Sequence, residues 1–504
     1  MMTTQGTTRG DRRSNPFSWR FVTPMFVGSA LNPVNSSLIA TALVPIAAAM
    51  HVSVGRTAVL VSALYLASSI AQPTAGKLSE EFGPRRVFLC GILLVLAGGL
   101  VGGFAQNLTM LIVARVLIGV GTSAGYPSAM LLVRRRAVQA GLDAPPGSVL
   151  GGLVIAGMVT PAVGLPIGGA LVAWDWRATF FVNVPFALIT LVMAAIWIPR
   201  DPRARTARSA REIAARIDAA GIAGFGSMMA ALLVFLMSLP HPDWIALAVS
   251  VVVGAALVAW ELRAERPFFD IRLLGRNLAL SRTYLRWAIL GLCAYTVLYG
   301  VTQWLQVGRG MTALDAGLIL LPMSAVSAVI ARPVSQRNLL RTPLAVAAVA
   351  CLAAASGVLF LTHSSPIAWI IVVTLLFGVA LGTGASANQT ALYAQVPPEQ
   401  IGTASGLFRT FGYIGSIASS AIISVTFHTS VTDHGLHIIA VIMIATSAVA
   451  LLLTVADRQL MSQPSVAPGG GGKKTPTAEP PGEPATVPGG SAAAPAERAP
   501  SGQN

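Results

Sequence analysis

Long apolar runs separated by short, arginine-bearing interruptions dominate the pattern of this chain. A run of about 20 such residues is long enough to cross a hydrocarbon core of about 30 Å. Lipid offers no partner for a bare amide, so the backbone there must be helical. On this basis the sequence predicts spans at 20–47, 57–75, 87–105, 108–133, 148–172 and 178–198. Past a very basic loop at 200–216 come two more, at 219–239 and 244–260. A second basic segment, 263–286, leads to spans at 287–306, 316–335, 343–361, 367–392, 403–427 and 436–455. The expected fold is all-α, a polytopic membrane protein with fourteen transmembrane helices.

Charge gives these spans a direction. Lys77, Arg85 and Arg86, then Arg134, Arg135 and Arg136, then the two basic segments, then Arg337 and Arg341 all fall in alternate connections, whereas the others hold only Arg56, Arg177 and Arg309. Positive loops stay on the cytoplasmic side, which puts both termini there and the chain in the cytoplasmic membrane. With 54% of 504 residues hydrophobic and 11% charged, a soluble protein would lack the polar surface to cover itself. The net charge of +15 lies in these connections and not on one aromatic-interleaved face, which argues against nucleic acid. Cys90, Cys293 and Cys351 lie inside apolar runs with no CxxC spacing and read as small buried hydrophobes. No metal site or cofactor is expected. The expected organisation is a cytoplasmic segment (1–19), a six-helix bundle (20–198), a basic linker with two extra spans (199–286), a second six-helix bundle (287–455) and a disordered Pro/Gly/Ala-rich tail (456–504).

Several polar groups interrupt the apolar runs. "NPVNSSLIATALVP" in the first span carries Asn32, Asn35 and Ser36, which serve either as hydrogen-bonding contacts in a cavity or as helix-packing groups. Arg115 lies within the fourth span, where an arginine costs about 2.5–3.5 kcal/mol unless it meets a partner or a wet cavity. Tyr126, Tyr295, Tyr299, Gln303, Gln306, Asn388, Gln389 and Tyr413 are further cavity candidates. Gly157, Gly164, Gly168 and Gly169 thin one face of the fifth span, so that another helix can slide there. Trp174, Trp176 and Arg177 read as an interfacial aromatic belt.

Four segments carry a family resemblance. "GKLSEEFGPRRV" (76–87) resembles the loop pattern G-x-L-x-D-R-x-G-R-R of the major facilitator superfamily, with Glu80 at its acid and Glu81 and Pro84 where bases are usual. "LIVARVLIGVGTSAG" (111–125) is similar to the fourth-span pattern, with Arg115 at its arginine and Ile118 where glutamine is common. "PAVGLPIGGALV" (161–172) is similar to the fifth-span antiporter motif, including Pro161, with Pro166 one place later than usual. "WDWRATFFVNVP" (174–185) fits W-x-W-R-W-x-F-x-I-N-x-P apart from Ala178 and Val182. With "QWLQVGRGMTALDAGLILLP" (303–322) and "IGTASGLFRTFGYIG" (401–415), the likeness reaches the fourteen-span drug:proton antiporters and covers roughly residues 20–455.

The resemblance implies a monomeric secondary transporter that exports small organic molecules or drugs by proton antiport, two half-bundles rocking about a midplane site. It implies a gate in which Glu80 interacts with the opposite half. Gly76, Gly83, Arg85 and Arg86 belong to this gating loop, and Arg409 serves as gate partner or as a cavity charge. No Asp or Glu falls mid-span, and Asn35 and Ser36 stand where many relatives carry a titrating acid. Neither titrates near neutral pH. A pocket without an anion favours neutral or anionic solutes over strongly cationic ones. A facilitator or importer without proton antiport is the alternative. A membrane-embedded enzyme would need a nucleophile, metal cluster or acid pair at one depth, and none is apparent. The only lysines, Lys77, Lys473 and Lys474, complete no phosphate-binding loop, which excludes an ATP-driven pump.

Overall fold

The computed structural model describes residues 16–142, 146–201, 209–238, 241–265, 267–268, 271–336, 340–396 and 401–457. Before the basic linker the helices are α1 (Trp19–Ala49), α2 (Val54–Phe82), α3 (Pro84–Gly103), α4 (Leu108–Ser123), α5 (Gly125–Gln139), α6 (Gly147–Trp174), α7 (Ala178–Phe181) and α8 (Asn183–Trp197). The linker contributes α9 (Ala210–Ile217), α10 (Ala219–Met237), α11 (Trp244–Glu261) and α12 (Ile271–Arg276). After it come α13 (Leu278–Thr296), a π-helical turn (Val297–Val301), α14 (Thr302–Val307), α15 (Ala313–Gln336), α16 (Arg341–Leu359), α17 (Ile367–Gln395), α18 (Ile401–Thr426) and α19 (Asp433–Val455). Among the described residues there is no strand.

Among the described residues twelve helices, some formed by two consecutive segments, are long and apolar enough to cross a membrane. The two predicted spans outside that set, 148–172 and 403–427, coincide with α6 and α18, of 28 and 26 residues. Large apolar side chains such as Ile245 (77%), Val329 (72%) and Leu452 (68%) point outward, as a lipid-facing surface requires. Before the linker, α1 packs on α6 and α3 on α4; after it, α13 packs on α18, α15 on α17 and α16 on both α17 and α19. The two sets meet where α2 lies along α18 and α6 along α15. The pair α10–α11 leans on α2 and more lightly on α18.

Several boundaries differ from the sequence reading. The "GKLSEEF" stretch continues α2 as helix to Phe82, because nothing in it breaks a helix until Gly83, whose φ of 98° ends the element. α13 begins at Leu278, nine residues before the expected start, capped by Asn277 whose side chain accepts from Leu280 N at 3.0 Å. That early start is possible because Asp457, 1% exposed, neutralises Arg286 at 3.1 Å and Arg282 at 3.2 Å. Part of the expected loop 200–216 is the helix α9, started by a capping box of Ser209 and Glu212. Trp176 is buried under the Arg177 guanidinium, 4.4 Å from its ring, so only Trp174 (86% exposed) belongs to the belt. Cys90 is exposed on the lipid-facing side of α3, while Cys293 and Cys351 are buried beside Ser447. The predicted tail beyond Asp457 lies outside the described residues.

Candidate functional site

The polar stretch of α1 is stitched to its neighbours. Asn32 Nδ2 donates to Thr122 Oγ1 at 2.9 Å and to Ser68 Oγ at 3.2 Å, joining α1 to α4 and α2. Asn35 Nδ2 donates to Leu31 O at 2.9 Å and to Asn183 Oδ1 at 2.7 Å, turning Asn35 toward α8. Ser36 donates to Asn32 O within its own helix. Arg115 is 1% exposed; its Nε donates to Leu60 O at 3.1 Å and its Nη1 to Asn35 O at 3.4 Å, while its Nη2 has no partner among the described residues. Helical carbonyls keep a second lone pair after their own turn is bonded, which makes them available to a guanidinium.

Along the α2–α18 seam and beside α13 sits a cluster of tyrosines. Tyr413 stacks on Tyr65 (5.6 Å between centroids), Tyr65 meets Tyr295 edge-on (4.9 Å) and Tyr295 stacks on Tyr299 (5.9 Å). Tyr299 lies in the π-helical turn, donates to Ser36 O at 3.0 Å and stands 3.1 Å from the Tyr65 hydroxyl. Such turns recur where a helix must re-aim a side chain at a working site. Two turns on, Gln306 Nε2 donates to Thr41 O at 3.2 Å. Gln303 is fully buried, and neither its Oε1 nor its Nε2 has a partner among the described residues. Lower on the seam Tyr413 donates to Gln72 Oε1, and Thr410 to Ser69 O at 3.4 Å. The Arg409 guanidinium covers the Tyr126 ring at 3.8 Å and lies beside Tyr413. Gln389 donates to Tyr393 at 2.8 Å, and Asn388 is 3% exposed with its Oδ1 unpartnered among the described residues.

The two ends of the seam differ. At the arginine-poor end a Cβ on Gly55 would stand 2.7 Å from Phe427 O, one on Gly169 2.5 Å from Leu314 Cα and one on Gly317 2.7 Å from Leu165 O. Backbones of opposite sets touch there, which only glycine permits. Gly164 and Gly168 instead pack on Ser37, Leu38 and Thr41 of α1; Gly157 and Pro161 lie outside the described side chains, and Pro166 is half-buried. Toward the arginine-rich end the approach loosens: a Cβ on Gly406 would reach only Pro73 Cβ across the seam, at 3.9 Å, while Gly76 faces Pro127 of its own set.

At that loose end Glu80 is exposed and makes no ion pair among the described residues. Asp201 accepts from Arg86 N at 3.0 Å and Arg85 N at 3.4 Å, an acid placed on the positive end of α3. It also pairs with Arg135 at 3.5 Å. Arg85 Nη2 donates to Ala195 O at 2.8 Å and Glu81 pairs with Arg216 of α9 at 2.8 Å. Lys77 donates to Ile217 O and Pro267 O, both at 3.2 Å. Next to it Asp218, 5% exposed, accepts from Gly221 N, Trp260 Nε1 and Phe268 N, and Glu261, 1% exposed, lies against the same Gly221.

Sequence reading misses Tyr65, Gln72, Asp201 and the surroundings of Lys77, which carry no local signature. Asn183 does have one, as the asparagine of "FFVNVP". Chemically the interior offers donors, amides and aromatic faces; no group of three metal-ligating side chains occurs among the described residues. It is suited to holding a solute.

Comparison with known proteins agrees. The family model described as Major Facilitator Superfamily matches residues 25–420. YwoD of Bacillus subtilis (strain 168), an uncharacterized MFS-type transporter, is 33% identical over 458 residues, 88% of this chain and 98% of YwoD. The tetracenomycin C resistance and export protein of Streptomyces glaucescens is 28% identical over 433 residues, 82% of this chain and 77% of that protein. The fold is shared with the peptide transporter POT (TM-score 0.61, 14% identity, 88% of this chain and 96% of that one) and with the nucleoside transporter NupG (TM-score 0.60, 12% identity, 86% and 98%). A multi-pass helical chain with this match over most of its length belongs to the Major Facilitator Superfamily, and is a transporter, not an enzyme.

Proposed function

We propose that the protein exports small organic molecules across the cytoplasmic membrane by alternating access and proton antiport. Two six-helix bundles, residues 20–198 and 287–455, rock about the α2–α18 and α6–α15 contacts. On this reading α6 and α18 also cross the bilayer, which makes fourteen spans with α10 and α11 as the extra pair. The arginine-rich end and both termini face the cytoplasm. The observation that carries the reading is the asymmetry of the seam: backbone contact at Gly55, Gly169 and Gly317, against a loose approach and an exposed Glu80 at the other end. That is the form of a carrier open to the cytoplasm and closed outside. Direction draws support from relatives, among them the tetracenomycin C export protein and the multidrug resistance protein Stp of Mycobacterium tuberculosis, 27% identical over 374 residues.

A second reading, facilitated passage without protons, is favoured by one observation. The buried acids among the described residues, Asp218, Glu261 and Asp457, all lie at the arginine-rich end, none among the tyrosines. Everted vesicles with an acidic lumen separate the two. Proton antiport produces uphill accumulation of an organic solute in the lumen, abolished by a protonophore; facilitation produces equilibration only. Flux of no solute in a broad panel contradicts both.

A further inference from the structure

The tyrosine cluster is bracketed by two cations. Arg115 bonds Asn35 O, next to the Ser36 carbonyl that Tyr299 bonds, and Arg409 lies beside Tyr413. The inner of the two, Arg115, is 1% exposed and keeps its Nη2 without a partner among the described residues. Gln303, four residues after Tyr299 and fully buried, keeps both amide atoms in the same condition. A buried donor left unbonded is destabilising, so native proteins retain few of them, and each one retained calls for a partner such as water, an ion or a bound molecule. Arg115 and Tyr299 bond the consecutive carbonyls of Asn35 and Ser36, and Gln303 follows Tyr299 one turn along the same continuous helix. Among the described residues no carboxylate pairs with the guanidinium.

We infer that this cluster is a recognition site for planar aromatic anions, the ring system lying against the tyrosine cluster and its anionic group held by Arg115 Nη2 and the Gln303 amide. The inference deepens the transport reading and names its substrate class. Arg409, half-buried on the arginine-rich side, gives the anion a first cationic contact on its way in. A guanidinium with a free N–H binds a sulfonate or carboxylate by a charge-assisted bond, about twice as strong as a neutral one. A permanent cation placed there meets like charge in a low dielectric. A neutral aromatic keeps the aromatic contact and loses only the charge-assisted bond.

Three ligands with one naphthalene ring and different charge test this on the purified full chain in lipid nanodiscs: naphthalene-2-sulfonate, 2-naphthyl glucoside and 2-naphthyltrimethylammonium. Equilibrium binding is measured, so no transport is needed. The expected order is sulfonate tightest, glucoside about tenfold weaker, and the quaternary ammonium unbound. Arg115→Gln is expected to remove the sulfonate advantage while glucoside affinity stays within about threefold; Gln303→Leu weakens sulfonate and glucoside alike. Should either variant fail to fold, the wild-type charge series decides. A cation bound as tightly as the sulfonate, or a sulfonate not bound at millimolar concentration, overturns the inference. Sulfonate binding with no flux in vesicles leaves the inference standing and sinks the transport reading, whereas flux of cations alone does the reverse.

Discussion

At the scale of single residues, the first helix shows how a membrane interior spends polar groups. Asn35 bonds Asn183 through 2.7 Å, and this pair fixes α1 on α8 where no hydrophobic force distinguishes helix from lipid. Asn183→Ala leaves a buried amide hydrogen short of a partner and is expected to cost about 0.6–2 kcal/mol. Thermal unfolding in detergent checks this as a fall of a few degrees, and the double change Asn35→Leu with Asn183→Leu is expected to cost less than the two single changes added. At Tyr299 the expected effect is functional: Tyr299→Phe removes the bond to Ser36 O and the contact with Tyr65, leaves stability within about 1 kcal/mol, and slows transport several-fold. Parallel melting and flux measurements check it. Tyr295, Tyr299 and Tyr413 are legible in the sequence as polar points in apolar runs. Tyr65 is not, because its role comes from neighbours more than two hundred residues away.

At the scale of elements, the apolar pattern is a faithful guide because lipid imposes one rule on every span. It fails where charged residues are helical. Lys, Glu and Ser continue α2 through 76–82, and only the backbone of Gly83 stops it; Arg282 and Arg286 enter α13 because an acid 171 residues beyond Arg286 meets them. The same long-range chemistry holds the extra pair in place. Lys77 reaches the carbonyls of Ile217, at the end of α9, and of Pro267, in the segment after α11, near the buried Asp218 and Glu261. Lys77→Met removes the ammonium that bonds Ile217 O and Pro267 O beside these acids, and hydrogen bonds to a charged group are worth about 1.5–3 kcal/mol each. A large drop in melting temperature and in yield is expected, with Lys77→Met combined with Glu261→Gln partly restored. Equal loss in the single and double variants contradicts this.

At the scale of the whole molecule, function rests on a seam that is tight at one end and loose at the other. Gly55 sits where a side chain cannot, so Gly55→Leu is expected to weaken closure of the arginine-poor end and shift the population toward the opposite state. None of this asymmetry is legible in sequence, since the glycines at the two ends look alike until the backbones they face are known. The most direct test uses single cysteines in a background with Cys90, Cys293 and Cys351 replaced: one at Gln389, near the loose end, and one at Ser62, beyond the tyrosines toward the tight end, where it touches Ser420. Alternating access requires that without solute a membrane-impermeant thiol reagent label position 389 from the arginine-rich side and spare position 62 from the other. A transported solute with a pH gradient must then change the two rates in opposite directions. Both positions open at once, or both indifferent to solute and gradient, contradicts a carrier that opens one end at a time.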